Sequence, residues 1–379
     1  MKPILNLVNA RFRGLKPCVH GADVFEVAGK VGLGSEGILD FSSSVNPLGA
    51  SWKALEAIKE SLGSISRYPD SNSVALRKAI AQRYKGLSED NVVAANGSTE
   101  LIYLFADAFL QRGNTALIGT PTFGEYERAV CRAGKKVKYV PLGKDFRLEP
   151  THFISNMDEK TKIVFLCNPN NPTSRLAKTE ALLEIVEKAL IKDVLVFLDE
   201  DFLEFVKENS ELSLIGKVEE FPNLFVLRSF TKLYGLTGLR VGYGVASKEI
   251  TEVLLSSKIP WNLNCLGQIA AIAALSDEEH VQKSLALVKE EKAFLMKELE
   301  RFGMLKVYPA DANFFLIDIR NCGFTSTQLK EKLLSHGVLI RDCSSFVGLD
   351  GYYIRVAVKK HHENEKLIEA LKKTLQARA

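Results

Sequence analysis

The sequence predicts an α/β fold in which a mostly parallel sheet is covered by helices on both faces, followed by a smaller α+β carboxyl-terminal unit. Three observations point to it. Helical and strand patterns alternate from about residue 74 onward. The strand candidates are short, continuous and rich in Val, Leu and Ile, as strands buried on both faces are. After Trp261 the texture changes to long helical stretches interleaved with a few strands.

In order, residues 74–84 read as a helix, with Leu76, Ile80 and Tyr84 on one side and basic residues elsewhere. Residues 92–95 form an apolar strand that runs into Asn96-Gly97-Ser98-Thr99-Glu100, and 101–110 has helical length. Further buried strands are expected at 116–119, 137–140, 163–167, 194–198, 224–227 and 241–246, with helices at 180–190 and 248–256 among them. Residues 265–302 read as one long helix. Strands return at 314–317, 338–341 and 353–358, with helices at 327–335 and 363–375. The expected division is an amino-terminal arm with part of the small domain over 1–48, a large domain over 49–265, and a linking helix with the small domain over 266–379.

A chain of 379 residues suffices for two domains with substantial cores. Its 50 Lys and Arg against 46 Asp and Glu leave a net charge of +4, too weak to argue for nucleic acid or an anionic membrane. No apolar run approaches the roughly 18–20 residues of a membrane helix. Asn6, Asn9, Arg11 and Arg13 interrupt the apolar residues at the amino terminus, so a signal-peptide core is not expected and a cytoplasmic location is. The six cysteines include no C-x-x-C pair, so neither a disulfide framework nor a metal site is expected. Gly32-Leu33-Gly34-Ser35-Glu36-Gly37 matches G-x-G-x-x-G. A dinucleotide site needs a strand before that motif and a helix after it. Here the order is inverted, and a helix-to-strand turn is the expectation.

The informative region runs from Asn96 to Arg240. Ser229-Phe230-Thr231-Lys232 follows an apolar strand and leads, through a Gly-rich stretch, to Arg240. Burying an ammonium is expensive without a partner. Hydroxyls and a guanidinium converging beside this lysine would make an anion site. A Gly-rich hairpin with incidental polar residues would read the same. Gly97-Ser98-Thr99 stands where a helix N-terminus could bind phosphate, or where Ser98 or Thr99 could simply cap the helix. Leu198-Asp199-Glu200-Asp201-Phe202 ends a strand with three carboxylates, at the sheet edge where open α/β folds bind ligands. Asn168-Pro169-Asn170-Asn171-Pro172-Thr173 follows a strand in the same manner.

Taken together, Asn171, Asp199, Lys232 and Arg240 resemble the pattern of fold-type I pyridoxal phosphate enzymes, the aspartate aminotransferase superfamily, from about His20 to the end of the chain. The resemblance implies pyridoxal 5′-phosphate as cofactor, attached through a Schiff base to Lys232. It implies that Asp199 pairs with the ring nitrogen, Asn171 bonds the phenolic oxygen and Phe123 stacks on the ring. Ser98, Thr99, Ser229, Thr231 and Arg240 would hold the phosphate. Tyr68 would reach the neighbouring subunit's phosphate site in a homodimer. Arg355 would take the substrate α-carboxylate, and Asn46 could assist it. Arg341, His20, Ser42 and Ser43 are candidates for a second anion pocket. Two positions depart from the family pattern: Phe202 stands where a tyrosine is common, and Ser174 where N-P-T-G ends in glycine.

His20-Gly21-Ala22-Asp23, residues 40–49 (DFSSSVNPLG) and residues 340–346 (IRDCSSF) look like the threonine-phosphate decarboxylases of cobalamin synthesis. Decarboxylation of O-phospho-L-threonine to aminopropanol phosphate is therefore the leading expectation. The alternative is histidinol-phosphate aminotransferase, or a related amino-acid aminotransferase. A cofactor-binding transcription regulator would need a DNA-binding module, for which the stretch before His20 is too short. A non-catalytic binder would need no Schiff-base lysine.

Overall fold

The computed structural model describes residues 4–376 except 16, 22–23, 32–33 and 207–208. A two-residue strand, β1 (Leu39–Asp40), precedes the strands of the main sheet. These are β2 (Val92–Asn96), β3 (Thr115–Thr120), β4 (Lys136–Pro141), β5 (Thr161–Cys167), β6 (Leu195–Asp199), β7 (Leu224–Ser229) and β8 (Val241–Ala246). Their order across the sheet is β2-β8-β7-β6-β5-β3-β4, with β8 antiparallel to both neighbours and every other pair parallel.

Side chains alternate across a strand, so an unbroken apolar run feeds both faces of the sheet. On β6, Val196 and Leu198 join a core with Leu182, Ile185 and Ala189 of helix Thr179–Ile191. Phe197, between them, joins the opposite core with Phe105 of helix Ser98–Phe109 and Tyr126 of helix Glu125–Arg132. This is the doubly covered sheet that the apolar strand runs predict.

The remaining strands are β9 (Lys306–Val307), β10 (Phe314–Asp318), β11 (Val338–Leu339), β12 (Arg341–Asp342) and β13 (Tyr353–Ala357). Four of them form an antiparallel sheet in the order β12-β13-β10-β9. Helices Glu278–Glu300, Ser326–Leu334 and His361–Gln376 cover it around Leu295, Phe315, Leu329, Val356 and Leu371. Strand β1 pairs in parallel with β11. The next residue, Phe41, donates its N–H to Leu339 O (2.8 Å) and accepts from Ala357 N–H (2.9 Å). That tie carries residues 42–46 from the small sheet toward the large one.

Two expectations need adjustment, and a third is met in the part that is described. The stretch 265–302 is two helices, Cys265–Leu275 and Glu278–Glu300. The Asp277 carboxylate accepts from His280 N–H and so starts a new helix where one long one was expected. The strand expected at 338–341 divides at Ile340, its two pieces pairing with different sheets. Of the G-x-G-x-x-G segment, Gly32 and Leu33 lie outside the described residues. The rest forms a 3-10 turn, Ser35–Gly37, between helix Val24–Val31 and β1. Among the described residues no helix is long and apolar enough to cross a membrane.

Behind β7 lies a buried ion pair. Arg228 donates from Nε (3.0 Å) and Nη2 (2.7 Å) to Glu200 Oε2, with Glu204 Oε1 3.6 Å from Nη1. Removing one partner would leave a charge uncompensated in a dry interior. Arg228→Ala should cost about 3–5 kcal/mol of stability, read as a lower urea midpoint. The double variant Arg228→Met with Glu200→Gln should lose much less.

Candidate active site

The site forms beyond the carboxyl ends of the parallel strands, where loops after β5, β6 and β7 meet. A cleft of about 670 Å³ is lined there by Lys232, Asn171, Phe123, Thr231, Arg240, His20, Ser43, Arg341 and Arg355, among others. These nine are all residues singled out in the sequence. Elements far apart in the chain thus deliver them to one place.

Asp199 ends β6 with its side chain buried. Tyr126 OH donates to Oδ2 (2.6 Å), and the Asp201 N–H donates to Oδ1 (2.9 Å). Burial raises the Asp199 pKa and the neighbouring Asp201 charge adds to it, against the Tyr126 hydrogen bond, so the carboxyl awaits a positive partner. Burial lowers the pKa of Lys232. Arg355 and Arg240 push the same way, against Asp201 and Asp199. A lysine so placed is more readily neutral, as an amine nucleophile must be. Its Nζ stands 5.2 Å from the centre of the Phe202 ring. Phe202 packs against Phe314 (4.9 Å) and offers no hydroxyl to the cleft.

Helix Ser98–Phe109 begins directly after β2, with Gly97 at its N-cap and no side-chain cap, so neither Ser98 nor Thr99 caps it. Its first-turn N–H groups lack helical acceptors. A Cβ on Gly97, whose φ is +82°, would lie 2.5 Å from Arg240 Nη2. One on Gly242 would lie 2.2 Å from Ser98 N. Only glycine lets the guanidinium and β8 close on this helix start, and the result is a cradle for an anion. Thr99 contributes to the first turn but does not line the cleft. The Ser98 hydroxyl donates to Asp201 Oδ2 (3.0 Å).

Arg355 donates from Nη1 to Asn171 Oδ1 and from Nη2 to Ser42 O (2.7 Å). Burial lowers its pKa to about 10, and its Nε has no hydrogen-bond partner. Ser174 takes the left-handed φ of +59° that glycine would adopt freely. Its hydroxyl oxygen accepts from Ala312 N–H (2.9 Å), so the turn survives the departure.

Other expectations are corrected. Asn46 is absent from the cleft lining. Its amide donates to Leu233 O (2.6 Å) and Ser284 Oγ (2.8 Å) while its oxygen accepts from Leu48 N–H (2.9 Å), so in this structure it braces its own loop. Tyr68, by contrast, was expected at a neighbouring subunit's site, and its place outside this chain's cleft leaves that expectation standing: its ring is tilted against Trp261 (4.8 Å) and is 80% exposed. The groups expected to form a second anion pocket have protein partners. The Ser42 and Ser43 hydroxyls donate to Asp40, and Arg341 donates to Val19 O (2.6 Å), His20 O (3.0 Å) and Ser345 Oγ (3.0 Å). His20 Nε2 lies 2.7 Å from Glu125 Oε1, and Cys18 adjoins the same carboxylate. The three offer ligand atoms within 4.8 Å of one another.

Tyr126, Asp201, Glu125 and Cys18 were missed as site residues. Only Asp201 carried a signal, as the third acid of the 199–201 run. Tyr126 reads as a core aromatic from sequence, which it also is.

A half-buried lysine just beyond a strand end, an acid held for a cation, and a glycine-lined anion cradle define a pyridoxal phosphate-dependent enzyme of fold type I. The residues present fit that cofactor, the anion cradle suiting its phosphate and the buried Asp199 its ring nitrogen. The chain belongs to the class I and II aminotransferase family, whose sequence model matches residues 31–371, and its cofactor is pyridoxal 5′-phosphate. It is 35% identical over 363 residues to a histidinol-phosphate aminotransferase of Methanosphaera stadtmanae, covering 95% of this chain and 97% of that one. The histidinol-phosphate aminotransferase structure from Clostridium acetobutylicum superposes with a TM-score of 0.83 at 32% identity, covering 90% of this chain and all of that one. The L-threonine-O-3-phosphate decarboxylase structure from Porphyromonas gingivalis gives a TM-score of 0.79 at 29% identity, covering 89% and 99%. These relatives favour amino transfer, so the decarboxylase expectation gives way to its alternative.

Burial alone would raise the Glu125 pKa, but hydrogen bonds from His20, Tyr103 and Cys18 outweigh it and hold the carboxyl down to about 2. A depressed folded pKa stabilises fully above the ordinary value near 4.5 and is lost as pH falls toward 2. Glu125→Gln should therefore flatten the acid limb of thermal stability between those two pH values, measured by calorimetry.

Proposed function

We propose that the protein is a histidinol-phosphate aminotransferase that passes an amino group between histidinol phosphate and 2-oxoglutarate. The observation that carries this reading is the agreement of near-full-length relatives bearing that name, from archaea and a bacterium alike. When bound, pyridoxal phosphate supplies an aldehyde that takes up the substrate amine and a ring that accepts electron density from the reacting carbon. Lys232 holds the cofactor, and its freed amine carries a proton between the substrate carbon and the cofactor carbon. Asp199, braced by Tyr126 and the Asp201 N–H, keeps the ring nitrogen protonated. Asn171 and Phe123 orient the ring, and the Gly97–Thr99 turn with Arg240 grips the phosphate.

Glutamate and histidinol phosphate each carry an anionic group beyond the reacting carbon, a carboxylate in one and a phosphate in the other. Arg355, with one unpartnered N–H, is the shared anchor, and Arg341 stands beside it at the cleft wall. Tyr68, exposed and tilted against Trp261, is assigned to a partner subunit's phosphate in a homodimer. The six cysteines are free thiols, consistent with a reducing cytoplasm. Decarboxylation of O-phospho-L-threonine stands as the second reading, favoured by the Porphyromonas structure.

Purified enzyme given histidinol phosphate and 2-oxoglutarate should form glutamate. Release of CO₂ from O-phospho-L-threonine without an oxo acid, and no glutamate, would reverse the assignment. Lys232→Ala should abolish both turnover and the visible absorbance of the lysine-bound cofactor. Arg240→Ala loses a charge-assisted hydrogen bond of about 1.5–3 kcal/mol, which should raise the cofactor's Kd by about 10- to 100-fold in equilibrium dialysis.

A further inference from the structure

Asp201 has no counterpart in the roles assigned above, yet it sits at their centre. It is 9% exposed, and its Oδ1 has no hydrogen-bond partner. Its Oδ2 accepts from Ser98 Oγ at 3.0 Å. That hydroxyl is one of those assigned to the cofactor's phosphate. It has a single proton, and a hydroxyl that donates to Asp201 cannot donate to phosphate as well.

Charge makes the conflict sharper. The groups facing Asp201 are Lys232 and Arg228 on the positive side, and Asp199, Glu204 and the Cys167 thiol on the other. Lys232 is its foremost opposite charge, yet burial favours the neutral form of that amine. A docking phosphate would add negative charge beside a carboxylate that is only weakly compensated. Two buried anions sharing a site cannot both stay ionised cheaply. Burial already raises the Asp201 pKa in the free chain.

We infer that Asp201 is a proton-linked positioning residue for the cofactor's phosphate. As the phosphate docks, the carboxylate takes one proton from solvent and donates it in a hydrogen bond to Ser98 Oγ. The Ser98 hydroxyl proton then turns toward the phosphate. One O–H bond forms on Asp201, the phosphate keeps its charge, and nothing else is made or broken. The inference rests on the assignment of Ser98, Ser229 and Arg240 to the phosphate.

The test is calorimetric titration of cofactor-free, full-length protein with pyridoxine 5′-phosphate, an alcohol that cannot attach to Lys232. Near pH 8, repeating the titration in two buffers of different ionisation heat counts the protons taken up. A Lys232→Arg background keeps the cation and removes its titration. There, the protein with Asp201 should take up about one proton more per ligand than its Asp201→Asn derivative. Its Kd should rise by about tenfold per pH unit above the Asp201 ionisation, while the Asn variant stays flat. The Asn amide can donate to Ser98 Oγ as the protonated acid does, so affinity should survive at high pH, and melting curves confirm that both variants fold. Equal proton uptake by the two proteins would overturn the inference. Should Arg240→Ala bind as tightly as the parent, the phosphate assignment itself fails. Weakened binding by Arg240→Ala with no difference in uptake would overturn the role of Asp201 alone.

Discussion

A carboxylate held in a dry interior organises this molecule. Asp199 closes β6, the middle strand of the seven-stranded sheet, and burial works against its charge. Tyr126 and the Asp201 N–H hold it in place without neutralising it. Such a group is costly to fold unless something positive arrives opposite it, and on the proposed reading the cofactor's ring nitrogen does so. Lys232, the proposed tether, is disfavoured as a cation by burial in the same way, just beyond the neighbouring strand.

The rest of the site is a contest for few hydrogen-bond donors among many charges. Arg355 is shared between Asn171 and Ser42, Arg341 between two backbone carbonyls and Ser345. The serine hydroxyls near β1 go to Asp40. In the free chain, then, cationic and hydroxyl groups are held by protein acceptors that an anionic ligand would have to replace. Polar groups already satisfied cost little to keep buried, and they are pre-oriented toward the cleft they line.

Close approach sets the remaining geometry. The cradle at the start of helix Ser98–Phe109 exists because Gly97 and Gly242 carry no side chain. The Ser174 turn shows the opposite solution, where a residue with a Cβ accepts a left-handed backbone and recovers part of the cost through a buried hydrogen bond.

The doubly covered sheet was determined by the sequence alone, because apolar runs of strand length have only one low-cost home. The grouping of Asn171, Asp199, Lys232 and Arg240 was legible as a set through resemblance to a family pattern, since each residue taken singly could pass for part of a turn or a loop. Tertiary structure decided which polar side chain is spent on which. Asn46 looks like a ligand in a loop and is a brace. Tyr126 looks like core and also holds the key carboxylate. Asp201 reads as the third acid of a run and is buried with one oxygen on the Ser98 hydroxyl and the other unpartnered. No spacing along the chain encodes these outcomes, since each depends on a donor and an acceptor brought together from strands and helices tens to hundreds of residues apart.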